Sequence, residues 1–304
     1  MSRRLPTVLM SCWLLVGLYG AWLYIHHYDL YRGFPPPKEA ANLPHGELKT
    51  AGFWSSALHQ RRHYLIYLPP RYGQLAARGR RFPVLYLLHG LGGKAQNYVF
   101  AGGLDLRVDE LLAHRRIRPF ITVIPMGQAS RFGGDHEWAN ARAGPYESLV
   151  LDTVRAVDRR WATIPRRRAR MIAGLSAGAY GAVNVALLHL RVFGSFESWS
   201  GYFIQTPTAA FQGASPGELY ANSPAEYLPS VAPEIRRLGL HAYLYQGRGD
   251  DVPLGKMIEV ARGLSADGAH VRLSVYGGGH NWKLWRGHFS QMLSYASRVF
   301  ERRP

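Results

Sequence analysis

Three side chains able to share nucleophilic chemistry stand where this chain's patterning would bring them to one edge of a sheet. Gly174-Leu175-Ser176-Ala177-Gly178 follows the apolar run Met171-Ile172-Ala173 and opens another from Ala179 to Leu190. That order predicts strand, sharp turn and helix. In such a G-x-S-x-G elbow the small residues permit a strained turn that presents the serine hydroxyl to a base. His241 to Gln246 reads as a strand running into Gly247-Arg248-Gly249-Asp250-Asp251, and Val271 to Tyr276 as another running into Gly277-Gly278-Gly279-His280. Thirty residues separate Asp250 from His280, the span of one strand-helix-strand unit, so the two would lie side by side. Singly, an Asp after Gly is a turn former and a His after glycines a solvated loop residue. Jointly, in the order Ser176, Asp250, His280 and each past the carboxyl end of a strand, they occupy the positions where open α/β sheets place their sites. The chemistry they imply is acyl transfer. Ser176 attacks a carbonyl, His280 takes and returns the proton, and Asp250 orients the imidazole. Asp251 leaves the acid ambiguous by one residue, and the position after Gly-x-x favours Asp250.

An oxyanion needs donors. Pro83 to Leu88 is a continuous apolar run, read as a buried central strand, and it ends in His89-Gly90-Leu91-Gly92-Gly93. This is similar to an HGGG-type loop, and it assigns the donors to the amides of Leu91 and Ala177. His89, Trp138 and Trp282 are candidate substrate contacts, although a His at a strand end commonly serves as a structural hydrogen bonder. Trp282, Trp285, Phe289, Met292, Ala296 and Val299 step by three and four, a helical stripe that places both tryptophans in the core first and in a pocket wall second.

From Glu47 onward the chain resembles the esterase family of α/β-hydrolases that contains esterase D (S-formylglutathione hydrolase), feruloyl esterases and the antigen 85 mycolyltransferases. The resemblance is carried by Arg62 to Tyr72, Leu85 to Gly90, Arg170 to Ala182, Phe193 to Phe196, Trp199 to Gly201, and Gly278-Gly279-His280-Asn281-Trp282 with Trp285. Ala179 stands where the family usually has a second glycine. The resemblance implies an α/β-hydrolase fold, a mostly parallel sheet flanked by helices, and a serine esterase with no cofactor. It also keeps open transfer to a lipid or sugar hydroxyl, as in antigen 85. Some envelope hydrolases of this fold cleave aminoacyl esters of phosphatidylglycerol.

The first residues differ in kind. Thr7 to Ile25 holds nineteen uncharged residues rich in Leu, Trp, Tyr and Val, enough for a hydrocarbon core of roughly 30 Å, and Arg3 and Arg4 precede it. The expected organisation is a cytoplasmic N-terminus (1–6), a single transmembrane anchor (7–25), a linker (26–45) stiffened by Phe34-Pro35-Pro36-Pro37, and a catalytic domain (46–304). That domain would lie on the periplasmic or outer face of the cell membrane. A cleaved signal ending near Ala21 fits less well, because Trp22-Leu23-Tyr24-Ile25 continues the apolar run.

With 37 Lys and Arg against 20 Asp and Glu, the chain carries +17. Basic clusters occur at Arg78-Gly79-Arg80-Arg81, Arg115-Arg116-Ile117-Arg118 and Arg166-Arg167-Arg168-Ala169-Arg170. They suit an anionic surface, which makes an anionic phospholipid or envelope lipid a candidate ester substrate, or else they are solvated loops. Nucleic acid is disfavoured, since the clusters lie in loops of an exported domain. A catalytically idle scaffold that binds the envelope through these charges is the alternative of another class. Cys12 is the sole cysteine and lies in the apolar segment, which excludes a disulfide framework and cysteine catalysis. No H-E-x-x-H motif occurs, and no metal is expected.

Further strands are predicted at 63–68, 84–89, 120–125, 170–173 and 196–200, and helices near 105–114, 147–161, 179–190, 253–266 and 282–300. Residues 127–145 and 202–233 show no clear period. The first is expected to overhang the nucleophile, with Asp135, His136 and Glu137 among its contacts, and the second to cover it as a partial lid.

Overall fold

The computed structural model describes residues 4–38, 42–127 and 136–301, with side chains from Met10 onward. Helix α1 (Arg4–Tyr31) leads to the hairpin β1 (Glu47–Ser55) and β2 (Gln60–Leu68), then α2 (Tyr72–Ala77), β3 (Val84–Leu88), α3 (Ala95–Phe100), α4 (Leu104–Ala113) and β4 (Ile121–Pro125). A short ladder of β5 (Asn140–Ala141) and β6 (Gly144–Pro145) precedes α5 (Tyr146–Arg160), β7 (Arg170–Leu175), α6 (Ala177–Leu188) and β8 (Ser195–Trp199). The chain continues through α7 (Pro216–Ala221), α8 (Pro224–Leu238), β9 (His241–Gly247), α9 (Leu254–Ala266), β10 (His270–Tyr276) and α10 (Trp282–Glu301).

One eight-stranded sheet has the order β1-β2-β4-β3-β7-β8-β9-β10. β1 pairs β2 and β2 pairs β4 antiparallel, and the remaining pairs are parallel. Every residue of β3, β4, β7 and β8 is buried. This is why these strands read as unbroken apolar runs: a parallel sheet is covered on both faces. One face packs against α5, α6, α8 and α9 through residues such as Val154, Val183, Ile235 and Val260. The other packs against α3, α4 and α10 through Tyr98, Val108, Phe289 and Met292. The α10 stripe lies as its period predicts, with Trp285, Phe289, Met292, Ala296 and Val299 buried and Trp282 half-buried.

No sequence pattern announced β1, α2, α3, the β5-β6 ladder, α7 or α8. Segment 202–233 is not the lid that was expected. Its α8 joins the core, and Tyr180 on α6 donates from its hydroxyl to Asn222 O at 2.8 Å. Pro229 and Pro233 lie inside α8 on its exposed side, each removing one backbone donor, and burial of Tyr227, Leu228, Ala232 and Ile235 on the other side holds the helix across them.

The stretch expected to span a membrane falls within α1. Among the described residues no helix is long and apolar enough to cross one. The expected span opens at Thr7, ahead of the side chains described from Met10, and His26 and His27 close the apolar run that remains. The helix is nonetheless apolar around its whole circumference and exposed from Met10 to Tyr28, with Trp13 at 75% and Leu15 at 65%.

Candidate active site

Ser176 sits between β7 and α6 with φ 56° and ψ −124°, a conformation costly for any residue with a side chain. The turn around it has no room. A Cβ on Gly174 would come within 2.2 Å of Gly178 O, and one on Gly178 within 2.0 Å of Leu88 O. The two glycines are therefore fixed by close approach, and the strain falls on the serine they flank. Its Oγ lies 2.8 Å from His280 Nε2, and His280 Nδ1 lies 2.9 Å from Asp250 Oδ1. Asp250 Oδ1 also accepts from Val252 N at 3.0 Å, and the aspartate side chain is fully buried. Asp251 reaches Nδ1 only at 3.7 Å with its side chain 84% exposed, which resolves the ambiguity in favour of Asp250. The edge of Trp285 closes on the His280 ring at 5.2 Å, and its indole donates to Ser200 Oγ at 3.2 Å. The three residues thus form the hydrogen-bonded chain that activates a serine for attack on a carbonyl.

The loop after β3 lies against this chain. A Cβ on Gly90 would meet Ser176 Cβ at 3.1 Å, so only glycine lets the loop approach the nucleophile. Gly93 N donates to Gly90 O at 3.0 Å, a tight turn that carries Leu91 beside Ser176. Ala177 is the first residue of α6, where a backbone N–H has no intrahelical acceptor and is available to an anion. His89 lines the cleft at 5% exposure, with its Nδ1 3.0 Å from Gly90 O. Burial lowers its pKa to about 4, so the ring is neutral near pH 7 and braces the loop.

Trp138, expected to touch substrate, does not reach the cleft. It is fully buried, and its indole donates to His89 O at 2.8 Å beneath the strand end. His136 stacks on Tyr146 at 4.2 Å, and burial lowers its pKa to about 3. Glu137 accepts from the Tyr202 hydroxyl. Asp135 lies outside the described residues. Trp282 does line the cleft.

The remaining wall comes from a part of the chain read as linker. A cleft of about 410 Å³ over Ser176 is lined by Tyr28, Arg32 and Phe34 opposite Trp282, Lys283 and Trp285. Asn97, 1% exposed on α3, joins the two parts. Its amide donates to the α1 carbonyls of Asp29 and Leu30, and its Oδ1 accepts from Lys94 N and Arg32 Nη2. Asp29 pairs with Lys94, Tyr31 packs on Phe100 at 5.3 Å, and Arg32 Nη2 donates to Gly92 O at 2.9 Å. No residue of 202–233 lines the cleft among those described.

The family model described as Putative esterase matches residues 55–296. The chain belongs to this esterase family. An endo-1,4-beta-xylanase/feruloyl esterase of Xylanibacter ruminicola is 27% identical over 254 residues, which are 81% of this chain and 30% of that protein. The chain thus spans under a third of that relative's length. A solved ferulic acid esterase superposes with a TM-score of 0.71 at 23% identity, over 85% of this chain and 100% of its own. An S-formylglutathione hydrolase of Staphylococcus aureus does so with 0.67 at 17%, over 83% and 99%. Those structures share the α/β-hydrolase fold. With its family goes a serine-histidine-aspartate chain in the hydrogen-bonded order that ester hydrolysis through a serine requires.

In this esterase the one grouping of described His, Cys, Asp and Glu residues spaced as metal ligands is Asp250, Asp251 and His280. Asp250 and His280 already bind each other there. The basic clusters lie elsewhere. Arg78–Arg81 precede β3, Arg115–Arg118 precede β4 and Arg166–Arg170 run into β7, so all three occupy the amino edge of the parallel strands, opposite Ser176. Part of this charge is structural. Arg167 donates to the carbonyls of Leu190, Leu238 and Gly239 at 2.6, 2.9 and 2.7 Å, and Arg170 pairs with Asp158.

Proposed function

We propose that this esterase cleaves carboxylic esters through an acyl-enzyme on Ser176, at the outer face of a membrane that holds α1. The observation that carries the catalytic reading is the unbroken chain from Ser176 Oγ through His280 to buried Asp250, on an elbow strained at the serine itself. His280 accepts the serine proton as the tetrahedral intermediate forms. It returns that proton to the leaving alcohol, then activates a water that hydrolyses the acyl-enzyme. The amides of Leu91 and Ala177 stabilise the oxyanion in both steps.

The membrane reading rests on α1. A helix apolar on every side finds its stable surroundings in an apolar phase, and Arg3 and Arg4 favour keeping its start in the cytoplasm. Its carboxyl end docks on the catalytic edge, so Ser176 would face the bilayer and an ester of an envelope lipid is within reach. The aromatic walls also suit an aryl acyl group of the kind named for the feruloyl esterase relatives. Stopped-flow hydrolysis of a nitrophenyl ester should show a burst of one nitrophenol per enzyme, and acid quenching should leave the acyl group on the Ser176 peptide. A linear progress curve with no acylated peptide contradicts the mechanism. The full chain should stay with membranes in carbonate, and extraction by carbonate contradicts the anchor.

A further inference from the structure

We propose that the cleft selects esters bearing an anionic group, carboxylate or phosphate, and that Arg32, brought by the N-terminal segment, is the residue that recognises it, with Lys283 on the opposite rim. This rests on the esterase reading above and names the substrate class of the same site.

Arg32 closes α1 in a left-handed conformation at φ 52°, followed by Gly33 at φ 83°, and this turn folds the chain back over the cleft. The guanidinium is half-buried and pinned by Nη2, which donates to Gly92 O and Asn97 Oδ1. Neither acceptor is charged, so a neutral donor would serve them as well. Its Nε is buried without a hydrogen-bond partner among the described residues. The nearest carboxylate in sequence, Asp29, is committed to Lys94. No described residue lining the cleft is a carboxylate. A half-buried cation whose Nε is shielded from water and has no counter-ion gains from a ligand that supplies one, and a planar guanidinium suits the paired oxygens of carboxylate or phosphate.

Lys283 independently points the same way. It stands in the first turn of α10, where the helix dipole disfavours a cation and where no acidic residue occurs. It lines the same cleft as Arg32. Between the two cations, Tyr28, Phe34 and Trp282 offer apolar walls, and the Arg286 guanidinium holds Phe34 from behind at 4.5 Å from its ring centroid. An ester with an apolar portion and one anionic group meets both features.

Two matched substrate pairs test this in the full-length enzyme. Mono-nitrophenyl glutarate against nitrophenyl pentanoate places a soluble carboxylate on the acyl side. Lysophosphatidic acid against the monoacylglycerol of equal chain length, both in detergent micelles, places a lipid phosphate on the alcohol side. The anionic member should show kcat/KM about tenfold higher in at least one pair, the scale of one charge-assisted hydrogen bond. The pair that shows it identifies the source. Arg32 also steadies the oxyanion loop, so the ratio within a pair is the readout. Arg32→Gln should bring that ratio near unity, Arg32→Lys should keep most of it, and Lys283→Gln should lower it by about threefold. Equal or inverse preference in both pairs, or a preference that survives Arg32→Gln, overturns the proposal. So does an enzyme that reacts with a fluorophosphonate yet turns over none of the four esters. No turnover and no fluorophosphonate reaction would instead overturn the esterase reading.

Discussion

At the carboxyl ends of β3, β7, β9 and β10 the chain gathers one serine, one histidine, one buried aspartate and a glycine loop. At the amino ends of β3, β4 and β7 it gathers arginine. The two edges belong to one sheet, and the contrast shows how little a whole-chain charge of +17 says about a site. The dense basic clusters lie across the sheet from the cleft, and Arg167 and Arg170 within them bind the protein's own carbonyls and Asp158. The cations that do face the nucleophile are few and come from outside the clusters, Arg32 from the end of α1 and Lys283 from α10.

If chemistry belongs to the carboxyl edge alone, substitutions there should remove activity and leave folding intact. His280→Ala and Asp250→Asn should each lower kcat by about 10³-fold or more, whereas Asp251→Asn should change it little. A sensitive Asp251 would mean that the buried carboxylate is not the orienting one. Asn97→Ala tests whether α1 belongs to that edge. It leaves the ends of α1 and the Gly92–Lys94 loop without their shared partner, so kcat/KM should fall by about tenfold with a loss of about 1–3 kcal/mol in stability. Unchanged kinetics would detach the N-terminal segment from catalysis.

At the amino edge the signature should reverse. Arg167→Ala should cost about 2–4 kcal/mol in denaturant unfolding, since four carbonyls lose a charged donor, while kcat of the folded enzyme stays the same. Arg166→Glu with Arg168→Glu, both exposed, should alter neither quantity measurably. A loss of turnover in that double variant would break the comparison.

Acid should act through the layer under the carboxyl edge. His89 and His136 have folded-state pKa values lowered to about 4 and about 3 by burial, below the unfolded value of about 6.5. The unfolded chain therefore binds more protons between these values. Stability is fully present above about pH 6.5 and falls as pH drops towards 3 to 4. Unfolding free energy measured across that window should show this slope, and His136→Asn should flatten it by one proton. An unchanged slope would place the acid sensitivity elsewhere.

Ser176, Asp250 and His280 were legible because their surroundings are local: each follows an apolar strand, and glycines mark the turn. The glycine turn after β3, which lies against Ser176, was legible for the same reason. What failed was set by contacts distant in sequence. Arg32 meets Asn97 across 65 residues, and nothing near either one announces the contact. Trp138 looked like a substrate contact because its segment has no period, yet packing against His89 and Gly181 buries it completely. Two prolines concealed α8, which persists because Tyr227, Leu228, Ala232 and Ile235 are buried along one face of it.

The central claim is that Ser176 is the nucleophile. Incubation with a fluorophosphonate followed by peptide mass spectrometry tests it most directly. The modification should map to Ser176 alone, at one adduct per chain, and should vanish in a Ser176→Ala variant whose melting temperature is unchanged. An adduct on any other residue that persists in Ser176→Ala would contradict the account.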